Sequence, residues 1–134
     1  MAPVPLDWVE YYNVAVDLAG RPEEAYLRTP ISRAYYFVYH VGLKRAQANN
    51  FTPVRGESTH IQLWRIFKGS PEYACRQLGE IAMRLKEKRE RADYQDVFPR
   101  VADEVPNVLA DTQAFVDGLQ RLPARHPDPR SVRI

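Results

Sequence analysis

Thr29-Pro30-Ile31-Ser32-Arg33-Ala34-Tyr35-Tyr36-Phe37-Val38-Tyr39-His40, continuing to Ala48, is the stretch on which the fold turns. Thr29 is a candidate N-cap, and Pro30 would then stand at the first helical position, where a missing N–H costs nothing. Ile31, Ala34 or Tyr35, Val38, Val41 or Gly42 and Ala46 recur at spacings of three and four, the apolar stripe of a long helix. A second stripe on the same helix is chemical: Arg33, Phe37, His40 and Lys44. Arg33 and His40 are seven positions apart. At about 100° per residue they stand within roughly 20° of one another, two turns apart, so a guanidinium, an imidazole and several aromatic rings share one edge.

The flanking chain reads as further helices. Asp7 with Glu10 fits a capping box, and Gly20 with Pro22 a stop, so a first helix is expected over Asp7–Ala19 with Trp8, Tyr11 or Tyr12, Ala15 and Leu18 inward. A short acidic helical turn, Pro22–Arg28, leads into the central helix, which ends near Asn49-Asn50. A loop with Pro53 and Gly56 precedes a short helix capped by Ser58 or Thr59 and running to Phe67, with Ile61, Trp64 and Ile66 or Phe67 inward. Ser70-Pro71-Glu72 opens a long fourth helix with the stripe Tyr73 or Ala74, Leu78, Ile81 or Ala82 and Leu85, and a densely charged far end, Lys86–Arg91. A fifth helix is expected from about Asp103–Pro106 to Leu122, and Pro123–Ile134 reads as a frayed tail. No stretch alternates with period two. The expected architecture is all-α: four main helices in an up-and-down bundle with one short extra helix, a single domain over 1–122 and a flexible tail over 123–134.

The composition narrows the setting. A chain of 134 residues, 45% hydrophobic, can bury one core, and 19 basic against 17 acidic residues permit a basic patch without demanding one. The single cysteine, Cys75, excludes an internal disulfide and a cysteine-based zinc site, and reads as a small buried residue in a reducing cytoplasm. No signal peptide and no apolar run of membrane-spanning length is visible, and no carboxylates are spaced to complete a metal site with His40 and His60. No cofactor is expected.

The order of the motifs now matters. Ser32-Arg33-Ala34-Tyr35-Tyr36 with His40 comes first, then His60 opening a short helix, then Arg89-x-x-Ala92-Asp93-Tyr94 at a helix end, and Ala114-Phe115-Val116 in the last helix. This series resembles the HEPN superfamily, in particular its small single-domain prokaryotic branch, over roughly Trp8–Leu122. The resemblance implies a dimerising helical bundle, often encoded beside a nucleotidyltransferase. Many such proteins are metal-independent ribonucleases of toxin–antitoxin, stress or defence systems, whose site joins an arginine and a histidine from each of two protomers. Arg33 and His40 meet the spacing that this implies. Two features depart from the active families: Ala34 follows the arginine where a polar residue is usual, and Asp93 stands about where their late histidine falls.

The chemistry is consistent with that expectation. An imidazole such as His40 suits proton transfer to and from ribose and leaving oxygens, and Arg33 suits the charge on a phosphorane. Tyr36 and Tyr39 could stack on unpaired bases, and Lys44 and Arg45 extend the positive footprint. His60, Arg89, Asp93 and Tyr94 complete the candidate substrate-binding set. Each has a plainer reading. Arg33 could pair with Asp93 to fix the bundle, the tyrosines could be core, and His60 could cap its helix. The competing function is a non-catalytic helical module that binds RNA, a nucleotide or a nucleotidyltransferase partner.

Overall fold

A computed structural model of the chain describes residues 6–132. Expectations for residues 1–5 and for 133–134, the end of the tail, lie outside the described residues. The protein is all-helical: α1 spans Val9–Leu18, α2 Glu24–Ala48, α3 Thr59–Lys68, α4 Tyr73–Tyr94 and α5 Val101–Arg121, followed by a short 3₁₀ turn, Pro129–Ser131. Among the described residues there is no strand, and no helix is long and apolar enough to cross a membrane. The central helix, α2, packs against α1, α4 and α5, while α3 lies mainly on α4.

The main departure from expectation is where α2 begins. Thr29 does not cap it; its hydroxyl donates back to the Ala25 carbonyl (3.0 Å), and Pro30 sits inside the helix. A proline in a helix interior costs about 3 kcal/mol. Here the extra turns bury Leu27 and place Arg28, whose guanidinium donates to the carbonyls of Ala92 (3.3 Å), Asp96 (3.0 Å) and Gln95 at the end of α4. Burying one leucine contributes about 2 kcal/mol. The arginine also satisfies carbonyls that a helix C-terminus otherwise leaves unpaired, so these contacts together offset the proline.

Arg45 performs the same task at the other end of α2. Its guanidinium donates to the carbonyls of Leu119 (2.7 Å), His126 (3.1 Å), Leu122 (3.4 Å) and Pro123 (3.4 Å), all at or beyond the end of α5. Asn49 adds a bond to the Ala124 carbonyl (3.0 Å), and Pro127 is fully buried. The segment from Pro123 to Val132, expected to be a frayed tail, is therefore laid against the helices.

Smaller corrections have equally local causes. Ile61, expected to face inward, is 41% exposed; Gln62 is buried in its place because its side-chain amide bonds the Val54 N–H (2.8 Å) and the carbonyls of Val54 and Glu57 (both 2.9 Å). That one amide staples the loop before α3. In α4, Tyr73 and Ala74 are exposed and Cys75 begins the buried face. Asp7 accepts from the Val9 N–H (3.1 Å), but Trp8 is the N-cap of α1 and among the described residues no Glu10 side-chain bond closes the expected capping box.

Close packing of α2 on α3 depends on Gly42. A Cβ there would meet the Trp64 ring at 2.8 Å and 3.0 Å, and Trp64 is itself fully buried and hydrogen-bonded. Gly42→Ala is therefore expected to lower stability by about 1–3 kcal/mol in urea unfolding, since overpacking outweighs alanine's better helix propensity.

Candidate functional site

The two candidate histidines converge. His60, in the first turn of α3, stacks on the Tyr39 ring of α2 (centroids 3.8 Å apart, planes within 12°), and His40 meets the same ring edge-on at 5.0 Å. Tyr39 thus stands between two imidazoles. Trp64 lies four residues after His60, hence on the same face of α3. Both reach one atom: the hydroxyl of Tyr35 accepts from the Trp64 indole N–H (3.0 Å) and lies 2.6 Å from His60 Nδ1. Tyr35 is fully buried, and burial raises its hydroxyl pKa far above the usual range.

Positive charge surrounds this cluster. The Arg89 guanidinium of α4 lies over the rings of Tyr35 (5.3 Å) and Tyr36 (5.5 Å), with Asp93 at 3.8 Å. Its side chain is only 10% exposed, and its Nε is buried without a hydrogen-bond partner among the described residues. Desolvation first, then the charges of Arg89 and Lys86, lower the pKa of His60 to about 4. The pKa of His40 is also lowered, by desolvation and by Lys44. Both imidazoles are therefore held toward the neutral form.

The catalytic pair suggested by the sequence occupies a neighbouring edge covered by α1. Trp8 stacks flat on His40 (centroids 3.4 Å apart, planes within 5°), and the Arg33 guanidinium sits 4.9 Å from the centre of the Tyr11 ring. Two helical turns separate Arg33 from His40, about 10 Å along the axis, and each packs on a different aromatic ring at the start of α1. Arg33 does not pair with Asp93 as its structural reading supposed. Asp93 takes the Ser32 hydroxyl (3.3 Å) and faces Arg89 instead, while Arg33 and Asp93 share the wall of a shallow depression of about 280 Å³.

The remaining candidates separate. Tyr36 lies beside Tyr35 and His60 and is half-buried. Lys44 is exposed one turn beyond His40, and Tyr94 is 76% exposed on an outer groove that it shares with Arg89 and Arg91. No group of three His, Cys, Asp or Glu gathers to hold a metal ion among the described residues. Cys75 is buried, and burial raises the pKa of its thiol, as for an inert side chain.

Sequence reasoning missed Tyr35, Trp8 and Tyr11 as parts of the site, having placed all three in the core. The available signal for Tyr35 was its hydroxyl: a tyrosine in an apolar stripe needs a buried partner, and a histidine and a tryptophan four apart offered two.

Comparison with known protein families, curated proteins and solved structures gives no match to this chain.

A depressed histidine pKa favours the folded state at neutral pH. Above about pH 6.5 this contribution of His60 is fully present; it is lost as pH falls toward 4, where the unfolded chain binds a proton that the folded chain refuses. His40 acts in the same direction. Urea midpoints should fall between pH 7 and pH 5, and His60→Gln should flatten that slope relative to wild type.

Proposed function

We propose that this is an RNA-directed protein of HEPN type that holds single-stranded RNA along the aromatic, cationic edge of α2 and cleaves it without a metal ion. The observation that carries the reading is Tyr39 flanked by His40 and His60, with Arg33 and Arg89 on either side. A neutral imidazole with one face on an aromatic ring can take the proton of the 2′-hydroxyl, whose oxygen then attacks the adjacent phosphorus. Breaking the bond to the 5′ oxygen leaves a 2′,3′-cyclic phosphate, and a second imidazole returns the proton to the departing oxygen. His40 fills the base role. In a dimer of the kind the resemblance implies, the partner protomer supplies a second Arg33 and a second His40 to the same cleft.

A second reading has its own support. α1 exposes Val9, Val14 and Val16 and buries only Ala15. That surface suits a helical interaction module holding a protein partner such as a nucleotidyltransferase.

Incubation with mixed single-stranded RNA in EDTA separates the two. Wild type should produce cyclic-phosphate ends, and His40→Ala and Arg33→Ala should each reduce the rate by about 100-fold or more while keeping helical circular dichroism. Absence of cleavage by wild type would favour the interaction module. Light scattering should give a dimer at micromolar concentration; a monomer would remove the shared site.

A further inference from the structure

The chain of hydrogen bonds through Tyr35 settles which nitrogen of His60 carries its hydrogen. An indole N–H can only donate, so the Tyr35 oxygen accepts from Trp64. The Tyr35 hydroxyl hydrogen then needs an acceptor inside a fully buried site, and His60 Nδ1 at 2.6 Å is the acceptor present. Nδ1 is thereby the bare nitrogen and Nε2 bears the hydrogen. Among the described residues Nε2 has no protein partner, and it is not among the buried unpaired atoms, so it reaches solvent. The Tyr36 hydroxyl is likewise free of protein partners among the described residues, on a ring 6.3 Å from His60. The Arg89 guanidinium lies over the Tyr35 and Tyr36 rings, facing Asp93 at 3.8 Å, with its buried Nε unpartnered among the described residues.

We infer that His60, Tyr36 and Arg89 form a phosphate subsite between α2, α3 and α4, in which neutral His60 donates from Nε2 and Tyr35 and Trp64 are the positioning residues that fix its tautomer. Two neutral donors contact the phosphate oxygens directly, and the Arg89 guanidinium favours the anion from behind the tyrosine rings. A phosphate group is the shared chemistry of an RNA backbone and of free phosphate or a mononucleotide. The subsite deepens the RNA reading by giving the strand a second anchor beside His40, and it rests on that reading for its ligand.

The relay predicts a result of its own. Long-range ¹H–¹⁵N spectra at pH 7 should show His60 protonated at Nε2 and bare at Nδ1, and Tyr35→Phe should abolish that pure pattern. His60 bare at Nε2, or doubly protonated at pH 7, would overturn the assignment. For the ligand, a fluorescent single-stranded RNA decamer and inorganic phosphate are titrated separately. His60→Leu should weaken RNA binding about tenfold, the loss expected for a hydrogen bond to a charged group, while His60→Gln, which keeps an N–H near Nε2, should stay within about twofold. The salt dependence should be unchanged in both, because no positive charge is removed. Equal loss in Gln and Leu variants would mark His60 as purely structural and overturn the subsite. Shifts of the His60 resonance by phosphate without RNA binding would support the subsite and defeat the RNA reading. RNA binding that leaves His60→Leu unaffected would do the reverse.

Discussion

The hydroxyl of Tyr35 is the atom on which the interior of this protein depends. It receives the indole N–H of Trp64, lies 2.6 Å from His60 Nδ1, and belongs to a ring that lies under the guanidinium of Arg89. One residue of α2 thereby contacts α3 twice and α4 once. A buried hydroxyl left unpaired would cost about 1–3 kcal/mol, and the indole would lose its partner as well. The arrangement of α3 on the central helix is consequently specific in direction: only one register of His60 and Trp64 brings both nitrogens to the same oxygen. Gly42, one turn past Val38 on the same helix, admits the Trp64 ring that this register requires.

Around that core, α2 organises the chain through its two arginines. Arg28 and Arg45 stand near opposite ends of the helix, and each draws together the C-terminal carbonyls of a different neighbour, α4 and α5 respectively. Aligned peptide dipoles leave partial negative charge at a helix C-terminus, and a planar guanidinium can meet several carbonyls at once where an ammonium would meet fewer. The positions of the α4 and α5 ends are therefore set by side chains from one helix, and the charged far end of α4 is held where Arg89 covers the tyrosines.

How much of this was legible depends on the range of the interaction. Helical period alone marks all five helices, because burial of one stripe is a local property of the sequence. The start of α2 was not legible: Thr29-Pro30 is a sound local start signal, and it is overridden by the burial of Leu27 and by Arg28, whose partners lie more than sixty residues away. The exchange of Ile61 for Gln62 in the interior has the same character, since hydropathy favours isoleucine and only the loop's backbone groups explain the amide. In the site, His40, His60, Tyr36 and Arg89 were recognisable as chemistry-bearing residues. Their grouping was not, because it depends on which tyrosine lies between the two histidines. The pairing of Arg33 with Tyr11 rather than Asp93 also turns on α1 crossing over that edge, which no residue near Arg33 announces.

That crossing has a consequence for recognition. α1 rests chiefly on α2, and Trp8 already covers the face of His40 with a flat ring at stacking distance. A nucleobase seeking the same face does not add a stack; it exchanges one ring for another. Affinity there is set by a difference between two stacking energies and by the cost of lifting one helix end, so selectivity among bases at His40 would be shallow. The edge is in competition with its own cover.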